Sequence, residues 1–188
     1  AENCRVDLYL SDGEKIQVGD YETTVVSTPG HTRGSICLYL EKEDILFSGD
    51  HIIGHITPNA FVMLESDFDI PWRMSQVEFY DSLRKIESLA PQIVYPAHGK
   101  PINDLPKTAA MYREQFLRRQ EKILAILKKG EFTVYRIARS LFPEISGKRL
   151  PLEIFLSVSE VFTHLQVLEK DGMVASHVKR SKQYYSLK

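Results

Sequence analysis

The sequence is poor in cysteine, has no long apolar run and carries almost no net charge. Its two cysteines, Cys4 and Cys37, are too few for a disulfide framework and suit a reducing compartment, so we expect a cytoplasmic protein. No stretch of about 18 uncharged apolar residues is present, which argues against a transmembrane helix. The first residues, Ala-Glu-Asn-Cys-Arg, lack the basic and then apolar pattern of a signal peptide. Hydrophobic residues make up 43% and charged residues 26%, a usage that excludes a collagen-like fibre and a disordered tail.

The near-zero net charge of -1 conceals two halves of opposite sign. Residues 1–109 contain 9 basic and 17 acidic side chains, whereas residues 110–188 contain 15 and 8. A change of this size predicts two domains with different partners, one over 1–109 and one over 110–188. The alternative is that both halves are ordinary solvated surfaces, because sequence charge alone does not define a patch.

Residue patterns predict short strands and one helix in the first domain. Short apolar or alternating segments bounded by polar turns indicate strands of a sheet packed on one face. They cover residues 6–10, 15–18, 23–26, 35–40, 45–47 and 93–95. Helical spacing of apolar residues begins after Ser75, which we interpret as an N-cap forming a capping box with Glu78. Pro91 ends that helix, because its ring cannot join the helical hydrogen bonds.

The second domain has a helical pattern followed by a hairpin pattern. Apolar residues recur at helical spacing over 106–129, 133–142 and 153–171. Two further segments, 173–178 and 183–187, flank the basic turn Lys-Arg-Ser-Lys at 179–182. Three helices followed by a β-hairpin are typical of a winged helix. We therefore expect a small winged-helix domain with a long connecting helix.

Three potential metal ligands come directly after predicted strands. His31 lies in Thr-Pro-Gly-His, Asp50 in Gly-Asp-His, and His98 in Pro-Ala-His-Gly. Strand ends supply loops that converge at one edge of a sheet, and two imidazoles with a carboxylate suit a cation such as zinc. We predict that the three side chains converge on a metal site. The alternative for each of them taken singly is an ordinary residue of a surface loop.

Taken together, these segments resemble the third, fourth and fifth metal motifs of the metallo-β-lactamase superfamily. The likeness is greatest to its glyoxalase-II-like hydrolases and β-lactamase-like endoribonucleases, and the segment 54–59 resembles the subgroup with a C-terminal winged helix. The resemblance implies that His31 ligates a first metal, that His98 ligates a second, and that Asp50 bridges both as the catalytic carboxylate. It implies an α/β fold, the C-terminal part of an αββα sandwich followed by the winged helix.

The same resemblance implies a chemistry. Two divalent metal ions, zinc before iron or manganese, would activate a hydroxide for attack on a thioester, ester, lactone or phosphodiester. The substrate stays open, because members of one superfamily share ligands across many substrates. A non-catalytic module for nucleic-acid binding or assembly is the alternative function.

The main signature of the superfamily, His-x-His-x-Asp-His, is absent. None of the six histidines has that spacing: His31, His51, His55, His98, His164 and His177. In the superfamily the signature precedes the third motif, so we interpret the chain as the C-terminal part of a longer hydrolase, inactive and a weak metal binder alone. A short homologue without catalysis is the alternative. The expected partner is the missing N-terminal part or a second copy, and we do not expect His51 and His55 to replace the ligands.

The basic turn is a candidate contact for nucleic acid. Lys179, Arg180 and Lys182 suit phosphates, and Tyr184 offers a stacking surface, so single-stranded RNA is the ligand we expect. Strand alternation exposes only one of the two neighbouring tyrosines. The helix over 153–171 has Lys170 as its one basic residue, which is unfavourable for reading the major groove. The alternative is a packing or dimerisation module, and no membrane partner is expected.

Overall fold

Seven strands and four helices form the described part of the chain in the computed structural model, which covers residues 6–60, 62, 73–145 and 150–188. Their order is β1 (Lys15–Val18), β2 (Tyr21–Ser27), β3 (Ile36–Leu40), β4 (Ile45–Gly49), α1 (Ser75–Leu89), β5 (Ile93–Pro96), α2 (Leu105–Leu127), α3 (Val134–Leu141), α4 (Leu150–Lys170), β6 (Val174–Lys179) and β7 (Lys182–Leu187). Cys4 lies outside these ranges, and Cys37 is a free, buried thiol. None of the helices in these ranges combines the length and apolar character of a membrane span.

The first five strands make one mixed sheet in the order β1-β2-β3-β4-β5. Neighbours are antiparallel except β4 and β5, which are parallel and are joined by a crossover through α1. Strands β2, β4 and β5 therefore run in the same direction and end at the same edge. The strand predicted over 6–10 is wrong: residues 6–10 are irregular and pair with no strand of the described sheet.

One face of the sheet is buried by α1 and α2. Alternate strand residues point into this first core, which also takes apolar side chains from both helices; its members include Cys37, Leu46, Val94, Phe79, Leu83, Ile86, Ala109, Tyr112 and Phe116. The helix α1 lies directly on the turn before His31. A Cβ at Gly30, whose φ is +138°, would lie 2.5 Å from the Phe79 Cα atom, so only glycine fits there.

The opposite face of the sheet is apolar and exposed. A groove of about 390 Å³ is lined there by side chains that include Val18, Tyr21, Leu38, Phe47 and Tyr95. The rings of Phe47 and Tyr95 stack at 5.4 Å between centroids while remaining 45% and 37% exposed. Large contiguous apolar surfaces are uncommon on monomers, so this face has the character of an interface.

The start of α1 differs from the sequence prediction. Ser75 is the first helical residue, and the N-cap position is Met74, which makes no side-chain capping bond. The predicted capping box of Ser75 and Glu78 is therefore wrong. Glu78 instead forms a two-point salt bridge with the guanidinium of Arg73, just outside the helix.

The second core lies between the later half of α2, α3, α4 and the hairpin. Its buried members are Ile123, Leu127, Ile137, Ala138, Val161, Leu165, Leu168, Val174 and Tyr185. The strands β6 and β7 pair antiparallel, and the order of three helices and a hairpin agrees with the predicted elements. The proposed domain boundary after residue 109 falls inside α2, which contributes side chains to both cores.

A tyrosine on α2 fixes the segment that follows Asp50. The backbone N–H of Ile53 donates to the Tyr112 hydroxyl, and that hydroxyl donates to the Ile53 carbonyl, both at 2.6 Å. Both residues are buried. Since an unpaired buried backbone group costs free energy, this one hydroxyl satisfies two such groups at once.

We expect Tyr112→Phe to lower the free energy of unfolding by about 1–3 kcal/mol, because it leaves the buried Ile53 N–H and carbonyl unpaired. Urea unfolding followed by circular dichroism measures the change. Tyr135→Phe is the matched control, since Tyr135 is exposed on α3 and its substitution should change little. Equal stabilities of Tyr112→Phe and the wild type would contradict the role of the hydroxyl.

Two histidines are buried in apolar surroundings. The His51 ring packs on Phe79 at 4.4 Å, and the His164 ring lies 5.8 Å from Phe116. Burial, with a smaller contribution from nearby His31, lowers the pKa of His51 to about 3. Burial, with a smaller contribution from Arg119, also lowers the pKa of His164 to about 3. Both rings are therefore neutral in the folded protein at neutral pH.

These lowered pKa values predict acid sensitivity. An unfolded histidine takes up a proton below a pKa of about 6.5 while the buried ring does not, so stability present above pH 6.5 is lost as the pH falls toward 3. At pH 5 each ring should reduce the free energy of unfolding by roughly 2 kcal/mol relative to pH 7.5. Urea unfolding at both pH values measures it, and His164→Leu should remove about half of the difference. Equal stability at both pH values would contradict burial of neutral rings.

Candidate metal centre

Asp50 and His98 meet where the parallel strands β4 and β5 end. Gly49 pairs with Pro96 after a shift of register between Phe47 and Gly49, and the Ala97 N–H donates to the Gly49 carbonyl at 2.9 Å. The two following loops therefore leave the sheet together. His98 Nε2 lies 3.4 Å from Asp50 Oδ1.

The Asp50 oxygen lacks a hydrogen-bond partner. Its Oδ1 atom is buried, and within the described ranges nothing donates to it, the His98 ring included. A buried carboxylate oxygen without a donor is unfavourable unless a cation or water satisfies it. This oxygen and the neighbouring imidazole nitrogen are atoms that could coordinate a divalent cation.

His31 lies at the same edge, because β2 runs in the same direction as β4 and β5. Its Nδ1 atom is 2.8 Å from the backbone carbonyl of Asn59. A carbonyl only accepts, so Nδ1 carries a proton, and in a neutral ring Nε2 would then carry the lone pair. Histidines that ligate metals use this arrangement, with one ring nitrogen held by a backbone carbonyl and the other directed to the metal. The neutral His31 ring is thus in the tautomer that ligation through Nε2 needs.

The three predicted ligands do not form one compact cluster. Over residues 6–60, 62, 73–145 and 150–188, no three His, Cys, Asp or Glu side chains are grouped closely enough to hold a metal ion. The structure brings together Asp50 and His98 and places His31 at the same edge of the sheet. Their role as ligands stays a prediction. Three residues shared by two metals would also give each metal fewer ligands than zinc sites require.

The other histidines near the site do not supply the missing ligands. His51 points into the first core against Phe79. His55 faces the loop after His98: a Cβ at Gly99, whose φ is +96°, would lie 3.0 Å from the His55 Nδ1 atom. The two loops therefore approach each other closely, and glycine is needed at that point.

The predicted nucleic-acid residues surround the hairpin turn. Arg180 and Ser181 both have positive φ, 51° and 60°, as the centre of a tight two-residue turn requires. Lys179 and Lys182 pair across it. The turn thus exposes basic side chains at its tip, but the Glu131 carboxylate binds the Lys179 ammonium at 2.7 Å and offsets one positive charge.

The two neighbouring tyrosines of β7 face opposite sides, as strand alternation predicts. Tyr185 is buried in the second core, whereas Tyr184 is half-buried and stacks on His177 at 6.0 Å between ring centroids. The Lys179 ammonium lies 6.0 Å from the Tyr184 ring centroid. Tyr184 already contacts neighbouring side chains, so its ring is only partly available for stacking on a base.

Two groups that build the site were not predicted from the sequence. Asn59 acts through its backbone carbonyl, which every residue type possesses, so no sequence signal marks it. Tyr112 lies 59 residues from Ile53, the residue whose backbone it holds. Helical spacing predicts that Tyr112 is buried on α2 but does not identify its partner.

The chain is similar to known proteins in sequence and in fold. A model of the metallo-beta-lactamase superfamily matches residues 5–98, half of the chain. A metallo-beta-lactamase family protein of Thermus thermophilus has a similar structure, with a TM-score of 0.79 and 26% identity over 98% of this chain and 55% of that one. A beta-lactamase domain protein of Burkholderia ambifaria shares the fold, with a TM-score of 0.82 and 22% identity over 95% of this chain and 52% of that one.

Curated relatives are similar over most of this chain. The probable metallo-hydrolase YqjP of Bacillus subtilis is 28% identical over 162 residues, which are 86% of this chain and 49% of that protein. An atrochrysone carboxyl ACP thioesterase of Aspergillus chevalieri is 32% identical over 158 residues, 78% of this chain and 47% of that protein. The chain spans about half the length of these relatives. Because the superfamily model matches half of its residues, the chain belongs to the metallo-beta-lactamase superfamily.

Proposed function

We propose that this chain is part of a metal-dependent hydrolase that cleaves thioesters. The observation that carries the proposal is the buried Asp50 Oδ1 atom, which accepts no hydrogen bond from the described residues, with the His98 imidazole 3.4 Å away. An oxygen and a nitrogen donor presented at one sheet edge suit a borderline cation such as zinc, with iron and manganese as alternatives. Asp50, His98 and His31 are the residues that would hold two such ions.

Each residue of the site has a separate task in this proposal. A bound divalent ion would supply Lewis acidity and lower the pKa of a water molecule, so that a nucleophile exists at neutral pH. Asp50 contributes the negative charge that attracts the ions. The Asn59 carbonyl keeps the proton of His31 on Nδ1, and Tyr112 holds the backbone after Asp50 in place.

Thioesters are the substrate class that the relatives favour. Several of the similar curated proteins are atrochrysone carboxyl ACP thioesterases, at 28–32% identity. In thioester hydrolysis the water oxygen bonds to the acyl carbon and the carbon–sulfur bond breaks, which gives a carboxylic acid and a thiol. Esters, lactones and phosphodiesters are the other substrates to compare, since ligand sets are shared across such chemistries.

The ligand assignment predicts how zinc binding responds to substitution. The 188-residue chain should bind zinc weakly, because these residues give each of two ions fewer than three protein ligands. Asp50→Asn should remove the binding, and His31→Ala or His98→Ala should weaken it about 10-fold or more. Isothermal titration calorimetry measures this, with His177→Ala in the hairpin as a histidine control that changes nothing. Two tightly held ions per chain would contradict the assignment and require other ligands.

Activity is tested in the longest reading frame that contains this sequence, because the 188 residues alone should be inactive. There the same three substitutions should lower thioester hydrolysis by about 100-fold or more, measured as thiol release. Hydrolysis that persists after Asp50→Asn and after chelation of metal would overturn the proposed function.

The exposed sheet face gives a prediction about assembly. We infer that the rest of a longer protein covers the groove lined by Val18, Phe47 and Tyr95, or that a second copy does so when this chain is alone. Sedimentation should therefore show self-association, and Phe47→Lys should reduce it, because a charge on this apolar face opposes its burial. A wild-type monomer at about 100 µM, well above the usual range of stable interfaces, would contradict the inference.

Contact with nucleic acid is a second proposal, which the exposed basic tip at Arg180 and Lys182 favours. In this proposal the last three helices and the hairpin form a winged helix that touches phosphates through its turn. The ion pair between Lys179 and Glu131 weakens the patch. The hydrolysis assay separates the two functions, since a non-catalytic module gives no thiol release from any form of the protein. The buried thiol of Cys37 is compatible with the proposed cytoplasmic location.

A further inference from the structure

The segment that holds His31 is itself held from two sides. Asn59, whose carbonyl contacts the His31 ring, lies between two attachment points. On one side, the Thr57 hydroxyl donates to the Gln115 side-chain oxygen on α2. On the other side, the Val62 N–H donates to the Ser159 hydroxyl on α4 at 2.8 Å. These two hydrogen bonds bracket Asn59 and span 58 and 97 residues along the chain.

Asn59 itself lines a cavity, whereas its neighbours Pro58 and Ala60 are buried. This polar cavity of about 90 Å³ is lined by side chains that include Gln76, Arg119, Glu160 and His164. Arg119 and Glu160 form an ion pair across it at 2.6 Å. A space of this volume has room for about three waters, and Ala60 and Phe116 supply the apolar part of its lining. The hydrogen bonds at the two ends of the segment therefore act together with the buried side chains of Pro58 and Ala60 in fixing the Asn59 carbonyl.

We propose that Gln115 and Ser159 are positioning residues for the His31 imidazole, acting through the Asn59 carbonyl. The inference rests on the proposed function, in which His31 is a metal ligand. When both hydrogen bonds are removed, the Asn59 carbonyl can move toward the cavity, and Nδ1 loses its acceptor. The imidazole then exchanges between its two tautomers and rotates, so the lone pair on Nε2 is directed to the metal less of the time. Loss of such a supporting contact typically lowers metal affinity about 10–100-fold.

The experiment compares variants of the complete 188-residue chain. Gln115→Met removes the oxygen that accepts from Thr57, Ser159→Ala removes the hydroxyl that accepts from Val62, and the double variant removes both. Gln120→Met on α2 and Ser157→Ala on α4 are matched controls: Gln120 lies outside the cavity lining, and the Ser157 hydroxyl bonds to Ile154 within its own helix. Ser159→Thr keeps a hydroxyl and should behave as the wild type.

Two readouts separate positioning from general destabilisation. Long-range ¹H–¹⁵N NMR of the metal-free chain reports the His31 tautomer, and zinc titration followed on the same ring reports affinity. The wild type, both controls and Ser159→Thr should show Nδ1 protonated. The double variant should show a tautomer average and about 10-fold weaker zinc binding. Each single variant should show part of both changes, so the test stands even if the double variant does not fold.

The inference is overturned if folded Gln115→Met and Ser159→Ala variants keep the wild-type tautomer and zinc affinity. It is also overturned if the controls Gln120→Met and Ser157→Ala change the tautomer and the affinity as much as the Gln115 and Ser159 variants do. A His31→Ala variant distinguishes failure of the positioning inference from failure of the proposed function. If His31→Ala leaves zinc affinity unchanged, His31 is not a ligand and the proposed site fails. If it weakens binding while the Gln115 and Ser159 variants do not, only the positioning inference fails.

Discussion

The parallel pairing of β4 and β5 brings together two candidate metal ligands of this chain. Parallel strands need a crossover, and α1 supplies it. The register of Gly49 with Pro96 then places Asp50 and His98 at one point of the sheet edge. The same helix packs on Gly30 through Phe79, which fixes the turn before His31. One crossover thus positions all three candidate ligands, so damage to α1 or its packing should disturb the whole centre.

The helices α2 and α4 make hydrogen bonds to the segment that follows Asp50. The helix α2 passes through both cores, and through Tyr112 it satisfies the backbone that follows Asp50. The helix α4 carries Ser159 to the far end of the same segment. The basic half of the chain is therefore more than an appended module, because its side chains make hydrogen bonds to the loop that builds the candidate metal centre.

Much of this arrangement follows from the sequence, and the remainder depends on contacts between distant residues. Periodicity locates the helices and most strands within a few residues, because burial on one face leaves a regular pattern. Residues 6–10 alternate in the same way but form no strand, since a strand also needs a neighbour. The predicted Ser75 capping box is wrong because Ser75 is already helical and Met74 occupies the N-cap position. Asn59 acts through a backbone atom, which has no sequence signal. Lys179 pairs with Glu131, a residue 48 positions away, and no local pattern reveals that pairing.

The central claim is that Asp50 and His98 hold a divalent metal at the carboxyl edge of the sheet. Anomalous diffraction at the zinc absorption edge, from crystals of this chain soaked in zinc, tests it most directly. The account predicts an anomalous peak about 2.0–2.2 Å from an Asp50 carboxylate oxygen and from His98 Nε2. Anomalous peaks found only at other surface histidines and carboxylates, with none at this pair, would contradict it.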